Sequence, residues 1–367
     1  MARYIYNRQG WPRFHWDAEA LLTLLSSVRM KQGQLTGKMA GIGFPLLDSA
    51  LLDTLSTDII RSSLIEGEIL VTQEVRSSLA KKLGVEIAGL VDSSRSVDGL
   101  VDMVMDATEN WEAELTEDRL FGWHAAMFPE GRSGMLKIVA GNWREDTTRP
   151  MQVVSGAMGR EVVHFEAPHF ATLPEEMAQL FAWLNSSNKN EPLIDAAIAH
   201  LWFITIHPFE DGNGRIARAL TDLMFCRSEK QSKRFFSMSA TISDRKKEYY
   251  NILESTQKGG LDITEWILWF LSCLEGAIDE AELTANRTLA KHLFWNKHKA
   301  ITFNIRQLKM IELLFGDFFG KLTTSKWAKI NKCSPDTALR DIQDLVKKEI
   351  LKKSDTGGRS THYELEI

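Results

Sequence analysis

The sequence predicts a mainly α-helical protein in three parts: an N-terminal helical module over residues 1–100, a helical core over 101–285 with one β-hairpin, and a C-terminal winged helix-turn-helix over 286–367. Three observations carry this. Apolar residues recur at helical spacings along most of the chain, as at Leu21, Leu25 and Val28. One interval, "MQVVSGAMGREVVHFEAP", sets two β-branched runs around a glycine-rich turn. The stretch "PLIDAAIAHLWFITI" is apolar on nearly every face, as a central buried helix must be.

Composition narrows the partners. A chain of 367 residues suits two or three domains at about 150 residues each. A net charge of -5 and a pI near 6.0 give no global positive field for nucleic acid or an anionic membrane. The start, "MARYIYNRQGWPRFHWDAEA", lacks the apolar core of a signal peptide, and the charge-free run 196–209 is too short to span a bilayer. A cytoplasmic protein without membrane contact is expected. Cys226, Cys273 and Cys333 lie far apart and read as small hydrophobes rather than disulfide or zinc ligands.

The N-terminal module opens on an aromatic cluster, "YIYNRQGWPRFHWD", and continues into helices. In "LLDTLSTDIIRSSLIEGEIL", Leu55, Ile59, Ser62 and Glu66 keep helical spacings until Gly67 supplies a stop, so Glu66 projects near the helix end. In the core, Met151–Val154 and Val162–Phe165 form the hairpin, and a lone hairpin invites a partner strand. The C-terminal part runs through "IRQLKMIELLF", "TTSKWAKI" and "SPDTALRDIQDLVKKEI" to "LKKSDTGGRSTHYELEI". Ser334 before Pro335 starts a helix, and the glycine pair between short β-like runs reads as a wing. From Lys321 onward, 10 Lys/Arg face 7 Asp/Glu, and the presumed recognition helix mixes Asp336, Asp341, Asp344 and Glu349 with Arg340, Lys347 and Lys348. DNA and a protein surface stand even as its partner.

The densest chemistry is "IHPFEDGNGRIARA", residues 206–219. Pro208 should end the buried helix at His207. Gly212 and Gly214 let a tight loop turn its N–H groups inward, and a new helix near Arg215 adds its positive end, which together suit a phosphate. Arg215 and Arg218 share a face and offer two planar cationic forks. Asp211 suits magnesium, which takes few carboxylates beside phosphate oxygens, and His207 is the candidate general base. "GNGRIA" fits a dinucleotide fingerprint but lacks the preceding strand, no Walker sequence occurs, and His200 with His207 lacks the HExxH pairing. His200 reads as a core histidine.

Residues 207–218, "HPFEDGNGRIAR", match the Fic-family signature HPFx[D/E]GNGRxxR at every specified position, and the chain resembles that family over roughly 101–285, "GNWR" and the hairpin included. The resemblance implies a protein adenylyltransferase that moves AMP from ATP, with Mg2+, to a hydroxyl of a target protein. His207 would take the hydroxyl proton and Asp211 would hold magnesium. Gly212, Asn213, Gly214 and neighbouring N–H groups would stabilise the α-phosphate, and Arg215 and Arg218 would hold the departing phosphates. The hairpin, at Met151, Gln152, Val153 and Val154, would be the flap that pairs with the target backbone. "DRKKEYYNILESTQ" resembles the adenine-side segment through Tyr249 and Tyr250, while Gln257 stands where asparagine is expected. "SSLIEG", with Ser62, Glu66 and Gly67, matches the inhibitory pattern [S/T]xxxE[G/N]. Other readings remain open: a nucleotide-sensing DNA-binding regulator, another nucleotide donor, removal of AMP, and a homodimer.

Overall fold

The computed structural model describes residues 3–366 apart from 42–43, 146–149, 157–159, 161, 187–189, 316–317, 319 and 355–360. The chain divides into two compact units, Met1–Ala281 and Glu282–Ile367. The first holds α1 (Ala18–Ala40), α2 (Phe44–Ile65), α3 (Thr72–Leu83), α4 (Arg95–Glu109) and α5 (Glu117–Met127). Two short strand pairs follow, β1 (Arg132–Ser133) with β2 (Leu136–Lys137) and β3 (Gln152–Ser155) with β4 (Val162–Glu166). Then come α6 (Leu173–Leu184), α7 (Pro192–Ile206), α8 (Asn213–Glu229), α9 (Met238–Asp244) and α10 (Lys246–Gln257). The boundary between the units falls within α11 (Thr264–Lys297).

The mainly α expectation holds, and its centre is α7. Glu191 caps the start by accepting the N–H groups of Leu193 and Ile194, with Pro192 at the first turn, and every residue from Leu193 to Ile206 is buried. The α7 face packs on α8, and Trp266 of α11 donates its indole N–H to the Ala197 carbonyl at 2.8 Å.

Within the first unit, α2 packs against α3, α4, α8 and α9. Its polar anchor is Asp58, 2% exposed, which accepts from the Ser237 and Ser239 hydroxyls at 2.6 and 3.0 Å. Buried Arg234 pairs with Asp222 of α8 at 2.7 Å and lies 3.9 Å from Asp58, so one guanidinium serves carboxylates from two helices. Burial pushes the Asp222 carboxyl well above its usual range, and Arg234 opposes that shift.

The second unit contains α12 (Ile305–Phe315), α13 (Thr324–Asn331), α14 (Pro335–Lys347) and an antiparallel pair, β5 (Leu351–Lys353) with β6 (Tyr363–Leu365). Ser334 caps α14 through its hydroxyl on the Thr337 N–H, and Met310, Trp327, Ile342 and Leu345 build a core. The glycine pair expected in a wing, Gly357 and Gly358, lies outside the described residues.

Replacing Arg234 by Met should strand two buried carboxylates and cost on the order of 3–5 kcal/mol. Urea unfolding of Arg234→Met measures this; an unchanged midpoint would contradict the anchoring role.

Candidate active site

Helix α7 stops at Ile206, one residue before the expected end, because His207 adopts left-handed backbone angles (φ 52) while its N–H still bonds the Phe203 carbonyl at 3.0 Å. Such a conformation in a non-glycine residue needs outside support. Arg144, 2% exposed, supplies it by donating Nε to the His207 carbonyl at 2.8 Å and Nη2 to the Pro168 carbonyl at 2.5 Å. The Arg144 N–H also bonds the Pro208 carbonyl at 3.0 Å. At the imidazole, Nδ1 lies 3.3 Å from the Ile204 carbonyl, which can only accept, so Nδ1 carries the proton and Nε2 keeps a lone pair. Burial, with the Arg144 charge, pushes the His207 pKa down to about 4, and the ring is neutral at pH 7.

The loop after it closes on itself. Asn213, 2% exposed, accepts the Phe209 N–H at 3.0 Å and donates to the Phe209 carbonyl at 2.7 Å, which spends its side-chain amide on holding the loop. Gly212 (φ 83) forms the N-cap, so α8 begins at Asn213, earlier than the start expected near Arg215. A Cβ on Gly212 would meet Met127 and Phe128 at 3.0 Å.

Asp211 accepts the Gly212 N–H at 2.5 Å on one oxygen and the Ser133 hydroxyl on the other, with Arg215 at 3.5 Å. Its main-chain carbonyl faces Nε2 of His124 at 3.1 Å, while the Gly141 N–H donates to His124 Nδ1 at 2.9 Å. That donor fixes the tautomer, with the proton on Nε2. His124 is fully buried, stacks on Phe209 at 4.0 Å, and is held by burial at a pKa of about 4. No group of three or more His, Cys, Asp or Glu is arranged to hold a metal among the described residues. One carboxylate fits magnesium only when phosphate oxygens complete the shell.

The two motif arginines are already engaged. Arg218, 3% exposed, donates Nε to the Ser62 hydroxyl at 2.8 Å and Nη2 to the Ser62 carbonyl at 2.9 Å and to Glu66 at 2.7 Å. Arg215, 6% exposed, donates to Glu68 at 2.6 Å and lies over the Phe128 ring at 5.1 Å. Gly67 (φ 87) turns the chain at the end of α2 so that both glutamates face α8. Contact is close: a Cβ on Gly214 would lie 1.9 Å from a Glu66 carboxylate oxygen. Arg215 borders a second cavity of about 750 Å³ together with Glu66, Glu68 and Asp211.

His207, Asp211, Asn213 and Gly214 share a cleft of about 600 Å³ with Glu66 and the flap. Helix α10 walls the other side. Tyr249 is buried with its hydroxyl at 2.9 Å from His200, Tyr250 donates to the Ile65 carbonyl at 3.2 Å, and Gln257 donates to Thr205 at 3.3 Å. His200, fully buried between Thr221 and Tyr249, is a core residue. The expected hairpin exists as β3 and β4, with an irregularity between Val153 and Val154, and β3 pairs only with β4 among the described strands. Phe165 packs edge-on against Tyr4 at 5.1 Å, and the Tyr6 hydroxyl donates to the Glu166 carbonyl at 2.9 Å. Glu68, His124, Ser133 and the role of Arg144 escape the sequence reading. Glu68, two residues beyond Glu66, was the one within reach of it.

Comparison with known proteins agrees with this geometry. Residues 114–225 match the Fic/DOC family, and residues 4–85 match a domain of unknown function, DUF4172. The "Protein adenylyltransferase Fic" of Drosophila grimshawi is 29% identical over 132 residues, 34% of this chain and 26% of that protein. "Protein adenylyltransferase fic-1" of Caenorhabditis briggsae is 46% identical over 56 residues, 15% of this chain and 11% of that protein. These alignments span about a quarter or less of the curated relatives' lengths. A crystal structure of a Fic family protein from Desulfovibrio desulfuricans G20 superimposes with a TM-score of 0.55 at 21% identity, covering 96% of this chain and 97% of that one, a likeness of fold. Residues 114–225, which carry the loop at 207–214 and both arginines, thus match a Fic/DOC domain.

Proposed function

We propose that this chain is a protein adenylyltransferase held in check by the end of its own α2. The observation that carries the reading is Arg218, a motif guanidinium closed off by Ser62 and Glu66 beside a cleft that contains a neutral His207. In this reading ATP enters the cleft with its base toward Tyr250 and Gln257. Asp211 would hold magnesium, which would supply charge neutralisation of the phosphates when bound. The target lies along β3 by strand pairing, which orients its hydroxyl. Nε2 of His207 takes the hydroxyl proton as the oxygen attacks the α-phosphorus, and pyrophosphate leaves. Arg218 and Arg215 can grip the departing phosphates only after Glu66 and Glu68 let go.

The names of the relatives support this class; the donor nucleotide, the target and any removal of AMP belong to the proposal. A cytoplasmic setting is also proposed. Among the described residues no helix is long and apolar enough to cross a membrane. For the second unit we propose a winged helix that contacts DNA. Asp341 is paired with Arg306 at 2.6 Å and Asp344 with Lys348 at 2.7 Å, which neutralises two of the carboxylates on α14. A nucleotide sensor would bind ATP and transfer nothing, so α-labelled ATP with magnesium separates it from an enzyme.

In that assay His207→Ala should lower transfer to a foreign hydroxyl by roughly 10²–10⁴-fold with ATP binding retained, and equal rates would remove the base assignment. Val153→Pro should disturb the pairing of β3 and lower modification of a bound target with little change in nucleotide affinity. Unchanged modification would argue against strand addition.

Glu66→Gly should raise transfer, on the order of 10²-fold if a displaced phosphate is the block. Glu68→Gln should raise it less, and the double variant should exceed both, because each glutamate holds a different arginine. Rates at or below wild type in the double variant, with nucleotide bound, would refute autoinhibition.

A further inference from the structure

The flap carries polar chemistry that the transfer mechanism above does not use. His164 of β4 reaches two neighbours at once. Its Nδ1 lies 2.7 Å from a carboxylate oxygen of Glu254 on α10, and its Nε2 lies 2.6 Å from the hydroxyl of Ser155 on β3. Lys258 and His164 hold the Glu254 carboxyl below its usual range, so it is ionised and can only accept. Nδ1 of His164 must then carry the ring proton, and Nε2 presents its lone pair to the Ser155 hydroxyl. Nucleophile, base and orienting carboxylate follow one another in the order that activates a hydroxyl. Ser155 is exposed, and all three side chains line the same cleft as His207 and Asp211.

We propose that Ser155 is the hydroxyl this protein modifies on itself, with His164 as its own base. The inference rests on the AMP-transfer reading. The Ser155 oxygen forms a bond to the α-phosphorus of ATP, the bond from that phosphorus to the bridging oxygen breaks, and pyrophosphate leaves with the electron pair. The serine proton passes to Nε2 of His164, whose new charge faces Glu254. An AMP group on Ser155 occupies the flap strand beside which a target would lie, so self-modification competes with modification of others.

The test uses the 367-residue chain carrying Glu66→Gly, incubated with magnesium and α-labelled ATP, digested, and mapped by mass spectrometry. One AMP is expected on the peptide containing Ser155. It should disappear in Ser155→Ala, persist in Ser155→Thr, and fall by about 10²-fold or more in His164→Asn. AMP on other hydroxyls with Ser155 unmodified would overturn the proposal and leave the transfer reading standing. Undiminished labelling of Ser155 in His164→Asn would overturn the base assignment. Absence of label on this protein and on every protein of an added lysate, with ATP bound, would overturn the transfer reading itself.

Discussion

A guanidinium shut into a protein interior has to be matched by an anion. Arg218 is 3% exposed and cannot discharge by losing a proton, and burial alone would oppose its charge. The chain answers with Ser62 and Glu66, one turn apart at the end of α2, and with nothing larger than hydrogen at Gly214, where the carboxylate rests. Much else follows from that requirement. The far end of the match is Asp58, one turn before Ser62, bound to α9 and facing Arg234. A glutamate on a loosely held helix would fray; on α2 it is carried by a buried polar anchor and by apolar packing at Leu52, Leu55 and Ile59.

The same cleft depends on a second buried arginine. Arg144 fixes the left-handed turn at His207, and the fixed turn aims a neutral imidazole at the cleft. Arg218 is held by Glu66 and Ser62, whereas Arg144 is bonded to main-chain carbonyls. In the proposed function the first contact would regulate and the second would shape the loop, so that a helix end could block the site without deforming it.

Much of this was legible from residues. The buried helix at 192–206, the hairpin, the compact loop at 207–214 and the position of Glu66 at a helix end each had a local signal: uniform apolarity, β-branched runs, glycine placement, and helical spacing ended by Gly67. What stayed hidden has a common cause. Ser133, His124 and Glu254 act through partners 78, 87 and 90 positions away, and no periodicity encodes which turn meets which helix. Helical spacing likewise cannot announce that Asp58 will lie 3.9 Å from an arginine 176 positions later. Asn213 shows the opposite limit: its position in the motif was plain, yet its amide is bonded to Phe209.

The central claim is that Glu66 and the buried Arg218 form a specific pair rather than an incidental contact. A double-mutant cycle on unfolding free energy, using Glu66→Ala, Arg218→Met and the combination, measures it without any substrate. The account predicts a coupling of about 1 kcal/mol or more, with the double variant losing less stability than the two single changes summed. Additivity within about 0.3 kcal/mol would contradict it.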